Sequence, residues 1–494
     1  MNDTPNLNDG RSTEVRAADA FAEFFCDKLL FVVEDNEYAY YDDSRWVRNS
    51  NIRALGLAKQ VAQELYLLAA ECDDGNLRRA IAKMALDCEK HRVIKAMLEL
   101  AKPRLEAHVD AFDRDPFLLN CRNGTLDLRT GELREHDRHD MISKLSPNNF
   151  ERDAKCERWL RFLDEVFCGD KELIAFVHEA IGYTLTGSTK EQVVFLLYGL
   201  GENGKSKFLR ILQTILGEYG MAAPSSTFMA RERKSATNDI ARLDGARFVS
   251  TVEPDAGQRL DESTVKLLTG GDVVSARFHY REFFDFEPRF KAWLACNHQP
   301  TIRGGDHGIW RRIRLLPFNA RFTTKVDVLD ELLPEVEGIL AWAVEGCRAW
   351  QARGLSTPVA VKEATAQYRS AVDLFAQFLA AETRDDKASE VRAKDILDRY
   401  TAWAIANNER PLSSKMLATR LTERGYKGEH KRYGAVYYGL ALEPVTDVTD
   451  KERLRETPYR ERSIGDYPET ASKPSHASPD ADEDVFSLAD WGRA

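Results

Sequence analysis

Gly199-Leu200-Gly201-Glu202-Asn203-Gly204-Lys205-Ser206 fits the phosphate-loop pattern G-x-x-x-x-G-K-[ST] and stands in the context that pattern requires. Upstream, Val193-Val194-Phe195-Leu196-Leu197 is a short apolar run with the character of a buried strand. Downstream, Phe208, Ile211, Leu212 and Ile215 recur at helical spacing as far as Gly217, a C-cap signal. Strand, glycine loop and helix therefore follow in order. In that arrangement Gly199, Gly201, Glu202, Asn203 and Gly204 offer backbone N–H groups to phosphate oxygens. Lys205 reaches the β and γ phosphates, and Ser206 supplies a hydroxyl to Mg²⁺.

The rest of the chain bounds the setting of this loop. With 494 residues it predicts three or four domains at about 150 residues each. Hydrophobic residues at 43% and charged residues at 30% suit a globular protein, and no apolar run approaches the ~20 residues of a membrane span. The opening Met1-Asn2-Asp3-Thr4-Pro5 lacks the basic and apolar regions of a secretory leader, so a cytoplasmic location is expected. The eight cysteines form no C-x-x-C pair, which leaves neither a zinc ribbon nor a disulfide framework as an expectation. A net charge of −10 argues against a surface coated in nucleic-acid-binding lysines, while leaving room for a local basic channel.

The fold class read from these patterns is multidomain α/β. Residues 1–17 are polar and expected to be disordered. Residues 18–150 read as an α+β N-terminal domain, with helical periodicity at Ile81, Met84, Ala85 and Cys88, then short strands about Asn123-Gly124 and Thr130-Gly131. Residues 151–340 read as the nucleotide-binding α/β domain, with a helical lead-in over 151–190, and 341–369 as a helical linker. Over 370–446 two amphipathic helices, a third at Ser413–Glu423 and a strand pair ending in Val436-Tyr437-Tyr438 suit a winged helix. Residues 447–494 read as a disordered acidic tail.

Further motifs carry chemistry. Ala246 to Glu253 is an apolar strand ending in a carboxylate, the group a neighbouring strand needs to hold Mg²⁺ and orient water. A second strand, Ala292 to Cys296, ends at Asn297-His298-Gln299-Pro300, where Asn297 offers an amide as a polar sensor. Trp310-Arg311-Arg312 sets an arginine pair ahead of another strand, and a guanidinium fork suits developing phosphate charge. Glu135-His136-Asp137-Arg138-His139-Asp140 holds metal-ligand residue types but reads as a solvated turn after a hairpin.

Together with Lys266 to Arg277, whose centre is Thr269-Gly270-Gly271-Asp272, these ordered motifs resemble the superfamily-three helicases, and more closely the helicase part of phage, plasmid and poxvirus primase-helicases. The resemblance covers about residues 20–320, Asn123-Gly124-Thr125-Leu126-Asp127-Leu128 included. It implies an AAA+ P-loop NTPase core that hydrolyses ATP with Mg²⁺. It also implies a homo-oligomeric ring, usually a hexamer, moving 3′ to 5′ on single-stranded DNA. Lys205, Glu253, Asn297 and Arg312 would be catalytic, with Ser206 and Glu253 at the metal. Arg312 is preferred to Arg311 as the finger acting in trans, because it lies six residues before Phe318. Arg277, His279, Tyr280 and Arg281 fall where such helicases carry a channel hairpin, and cations among aromatics suit a sequence-tolerant single-strand contact. One departure is that Val252, not a second acid, precedes Glu253, so Asp255 could share the metal.

The leading expectation is thus a replicative helicase of a mobile element in a bacterial host, acting on single-stranded and forked DNA, without a primase site of its own. Phe486, Leu488 and Trp491, set among tail acids, suit docking onto a separate primase or other replication protein, although a passive tail is the plainer reading. An origin-binding initiator or assembly ATPase, and a nucleotide-dependent interaction or defence protein, remain open. Strand displacement on a fork separates the first reading from both.

Overall fold

The computed structural model describes residues 11–230, 238–251, 258–279, 281–302, 307–322, 327–407 and 411–444. The expectations placed on Glu253, Asp255, Tyr280 and the tail from 447 lie outside the described residues. The chain divides into two compact units, residues 1–377 and 378–494.

The first unit begins earlier than the predicted disordered stretch 1–17 allows. Helix α1 (Thr13–Phe25) starts where the Ser12 hydroxyl accepts from the Val15 N–H at 3.4 Å, and Ala17 and Ala18 are already buried. It packs with α2 (Asn51–Glu71), α3 (Gly75–Cys88) and α4 (His91–Leu100), and the expected periodicity holds, with Ile81, Met84, Ala85 and Cys88 on the buried face of α3. The helical reading of this region missed a sheet. Strands β1 (Leu29–Val32), β2 (Glu37–Tyr41), β3 (Trp46–Val47) and β4 (Glu106–Ala107) pair in the order β3-β2-β1-β4. Next comes the antiparallel meander β5 (Leu118–Cys121), β6 (Gly124–Asp127) and β7 (Glu132–Arg134), as the Asn123-Gly124 signal predicts. Gly124 is obligatory there, since a Cβ would lie 2.4 Å from the Arg134 carbonyl oxygen. In the His136 turn that follows, His136 Nδ1 lies 2.9 Å from Asn120 Oδ1 and Asp140 pairs with Arg134 at 2.6 Å, so these side chains serve the turn.

Helices α5 (Glu157–Val166) and α6 (Lys171–Leu185) lead into β8 (Val194–Tyr198) and, after the glycine loop, α7 (Lys205–Leu216). Then follow β9 (Gly220–Ala223), α8 (Asn238–Ala241), β10 (Phe248–Thr251), α9 (Glu262–Thr269), the pair β11 (Val274–Ala276) and β12 (Phe284–Phe286), and β13 (Lys291–Cys296). The unit closes with α10 (His307–Trp310), β14 (Ile313–Pro317), α11 (Leu329–Leu332), α12 (Val336–Arg353) and α13 (Val359–Val372). Five strands form a wholly parallel sheet in the order β14-β8-β13-β10-β9. Alternate residues enter two cores: Phe195, Leu197, Trp293 and Ala295 face one, while Val194, Leu196, Ala292 and Leu294 face the other. Burial on both faces explains why these strands read as continuous apolar runs.

The predicted linker 341–369 does not exist as such. Leu340, Ala343, Val344, Cys347 and Trp350 of α12 belong to the core against α6, and Tyr368 of α13 is buried on the opposite side. The helices α6 and α12 meet through glycine: a Cβ on Gly182 would lie 2.0 Å from the Cys347 nitrogen, and one on Gly346 2.1 Å from the His178 oxygen. At the start of the sheet, Arg247 and Lys291 are buried. Arg247 donates to the carbonyls of Leu185 (2.8 Å) and Leu118 (2.7 Å), and Lys291 to those of Thr186 and Ser188. Burial and the nearby Arg247 charge push the Lys291 ammonium well below the usual lysine range.

The second unit starts within α14 (Leu374–Glu382), later than the predicted 370, because α13 runs to Val372 as part of the first unit. It continues with β15 (Thr383–Arg392), α15 (Ala393–Ala406), α16 (Ser414–Glu423), β16 (Lys427–Lys431) and β17 (Gly434–Leu442), its antiparallel sheet ordered β15-β17-β16. Strand β15 was not expected. Its sequence is polar apart from Ala388 and Val391, and it is held by backbone pairing to β17.

Candidate nucleotide and nucleic-acid site

All five sheet strands run the same way, so β8, β13 and β10 end on one edge, where open α/β sheets bind ligands. The glycine loop leaves β8 there. Gly201 (φ 92°), Glu202 (φ 46°) and Gly204 (φ 86°) are left-handed, which turns the backbone tightly enough to start α7 at Lys205. Gly199 has no room for a side chain, as a Cβ would meet Asn203 Nδ2 at 2.1 Å and the Phe318 oxygen at 2.3 Å. Asn203 braces the loop, donating from Nδ2 to the Phe318 carbonyl at 3.2 Å.

Lys205, only 4% exposed, donates from Nζ to the Gly199 oxygen (2.6 Å), Asn203 Oδ1 (3.0 Å) and Asn297 Oδ1 (2.8 Å). The structure thus brings Asn297, far away in sequence, to Lys205 and Asn203 of the loop. Ser206, next on the helix, is exposed, and Asn297 follows the last residue of β13. A residue the motif reading passed over is Thr251, the last of β10, whose buried Oγ1 has no hydrogen-bond partner among the described residues. Its position two residues before Glu253 was the available signal.

The arginine pair is arranged otherwise than expected. Arg312 is 8% exposed and donates to Gly308 O (2.7 Å), Thr269 Oγ1 (3.2 Å) and Gln192 Oε1 (3.5 Å) of its own chain. Arg311 is exposed, with Nη2 donating to Gln192 Oε1 at 3.1 Å. In this chain Arg312 is committed to internal acceptors whereas Arg311 stands at the surface, so of the two it is Arg311 that a neighbouring phosphate could meet without prior rearrangement. Gln192, which holds both, was not singled out by any sequence motif.

Strands β11 and β12 form an antiparallel pair that presents the intervening segment, with Arg277, His279 and Arg281 all exposed. Arg277 lies over the Phe283 ring at 4.8 Å, and Phe283 is itself 58% exposed. Phe278 stacks on Phe284 at 5.7 Å and steadies the base of the segment. Cations beside outward-facing rings can engage both phosphate and base.

Against known proteins, residues 18–168 match the family model described as D5 N terminal like. The chain is 26% identical over 366 residues to "Putative helicase L207/L206" of Acanthamoeba polyphaga mimivirus, covering 68% of this chain and 38% of that one. It is 28% identical over 286 residues to "Putative helicase 022R" of Frog virus 3, with 53% and 29% covered. It is 23% identical over 257 residues to "Putative primase C962R" of African swine fever virus, with 50% and 26% covered. The chain spans less than two fifths of the length of these relatives. Among solved structures, the apo NrS-1 C terminal region is similar with TM-score 0.46 at 9% identity, covering 83% of this chain and 95% of that one. The D5-like segment and the viral relatives bear out the resemblance to phage and viral primase-helicases that the motifs carry. Among the described residues no helix is long and apolar enough to cross a membrane.

Proposed function

We propose that the chain is an ATP-dependent, ring-forming replicative DNA helicase of superfamily three, its parallel sheet the core of an AAA+ P-loop module and its second unit a winged helix. The observation that carries this reading is the buried Lys205 at the mouth of a left-handed glycine loop, within hydrogen-bond reach of Asn297 at the end of the adjoining strand. The loop suits a nucleotide: its positive-φ residues make the tight turn that a phosphate cradle needs, and α7 adds the positive end of its dipole. Lys205 would bind the β and γ phosphates and Asn297 would orient the attacking water. Mg²⁺ would be held by Ser206 and Glu253 and would neutralise phosphate charge. Arg311 takes the finger role in trans, and Arg277, His279, Tyr280 and Arg281 contact the single strand, tracked 3′ to 5′.

Lys205→Ala should cut ATP hydrolysis by about a hundredfold or more while leaving the fold intact. The wild-type chain should hydrolyse ATP faster with single-stranded DNA and displace a strand from a fork. Near-normal turnover in Lys205→Ala would overturn the phosphate-loop assignment. Hydrolysis stimulated by DNA without displacement would favour the initiator reading, to which the basic surface of the second unit lends support. Over Leu412–Leu440 the basic residues Lys415, Arg420, Arg424, Lys427, Lys431 and Arg432 outnumber the acids Glu423 and Glu429.

A further inference from the structure

Gln192 occupies a left-handed conformation (φ 51°) just ahead of β8, uncommon for a residue with its side chain. Its turn is fixed from both sides. The Gln192 N–H donates to the Thr189 oxygen at 2.9 Å, the Glu191 N–H to Tyr183 Oη at 3.2 Å, and Trp350 Nε1 to Glu191 Oε1 at 2.9 Å. The side-chain amide faces two ways. Oε1 accepts from Arg311 (3.1 Å) and Arg312 (3.5 Å), and Nε2 donates to the Gly270 oxygen at 2.9 Å. Chemistry dictates that orientation, because a flipped amide would set its NH₂ against two guanidinium groups and its oxygen against a carbonyl.

Gly270 follows the last residue of α9 and lies at the root of the β11–β12 hairpin. The backbone there is cramped: a Cβ on Gly270 would be 2.8 Å from the Lys266 oxygen and 2.9 Å from Asp272 Oδ2, and Gly271 is left-handed at φ 82°. Arg312 adds a second tie to this root through Thr269 Oγ1. A neutral amide can accept from two cations and donate to a carbonyl together, which neither a carboxylate nor an ammonium can do.

We propose that Gln192 is a positioning residue that couples the Arg311–Arg312 pair to the root of the DNA hairpin. The inference rests on reading Arg311 as phosphate-facing and the hairpin as strand-facing. A guanidinium prefers a phosphate oxygen to a neutral amide oxygen, so Arg311 drawn onto nucleotide leaves Oε1 with only the long 3.5 Å contact from Arg312. The side chain then reorients and gives up Gly270, releasing the segment that carries the hairpin. Contact with DNA that shifts the hairpin acts back on the arginines by the same route.

Two variants of the full chain separate this from simple bracing of the arginines. Gln192→Glu keeps an acceptor for both guanidinium groups but sets a carboxylate against the Gly270 carbonyl. Gln192→Asn retains the amide and tolerates positive φ, yet is one methylene too short to span both partners. ATP hydrolysis with and without oligothymidine, oligothymidine affinity, and fork displacement are measured together with thermal unfolding. Both variants should fold, bind oligothymidine with unchanged affinity and keep DNA-free hydrolysis in Gln192→Glu. The stimulation by DNA should fall roughly fivefold, the weight of one hydrogen bond, with displacement falling alongside. Wild-type stimulation in both variants would overturn the coupling while leaving the helicase reading intact. A wild-type chain indifferent to oligothymidine would remove both.

Discussion

Lys205 and Asn297 are hydrogen-bonded to each other, so an incoming γ phosphate must compete for the lysine and in doing so frees the amide. If the amide orients the water in the transition state as proposed, Asn297→Ala should lower kcat about tenfold or more with the KM for ATP little changed. A rise in KM at constant kcat would make it a ground-state contact instead. Elsewhere, Lys291 is depressed by burial, so the native lysine sheds its proton more readily than the unfolded one, whose ordinary value is 10.5. The unfolded state then binds more protons, and stability rises with pH from the depressed native value up to that of the unfolded lysine. Relative to Lys291→Met, wild-type stability in urea should climb as the pH rises towards the ordinary lysine value, by no more than about 1.4 kcal/mol per pH unit. A constant difference would contradict this. At this scale the sequence was readable wherever one residue type has one chemistry, as with Lys205. It was not where a role arises from convergence: nothing about Gln192 announces that Gly270, Arg311 and Arg312 will meet it.

Elements were readable in proportion to how far their own side chains decide them. Strands β8, β10, β13 and β14 and the amphipathic α5 are dictated by burial and could be read, whereas the part-exposed edge strand β9 carries no such signal. Strand β15, with Thr383-Arg384-Asp385-Asp386-Lys387 at its start, is defined by pairing to β17 and left no periodic trace. Helix α12 was read as a linker because its small residues, Gly338, Ala341, Gly346, conceal how closely it approaches α6. Gly182→Ala should therefore destabilise the chain by about 1–3 kcal/mol through overpacking, measured by urea unfolding; an unchanged midpoint would refute the close approach. In the second unit, α16 presents Lys415, and the turn between β16 and β17 presents Arg432 beside Tyr433, itself 59% exposed. Lys415→Glu combined with Arg432→Glu in the full chain should weaken duplex DNA binding and flatten its salt dependence. Unchanged affinity and salt slope would leave that unit a protein-contacting cap.

At the scale of the whole molecule, mixing is the informative experiment. Arg311→Ala and Lys205→Ala chains, each inactive, should together regain part of the ATPase activity, since each supplies what the other lacks at a shared site. No recovery at any ratio would confine Arg311 to its own subunit. The order of the central sheet was beyond reach of any local pattern, as it depends on which distant strands pair. That order has a consequence for how the protein comes into being. Strand β8 is completed by Ala292 on one side and Ile313 on the other, and the glycine loop leans on Asn297 and on the Phe318 carbonyl. A nascent chain therefore carries the whole phosphate motif for over a hundred residues of synthesis before the site can exist, its apolar strand unpaired all the while. On the proposed reading, nucleotide would favour the fold only after residue 318 has emerged, so ATP would protect the finished protein from degradation without rescuing a stalled one.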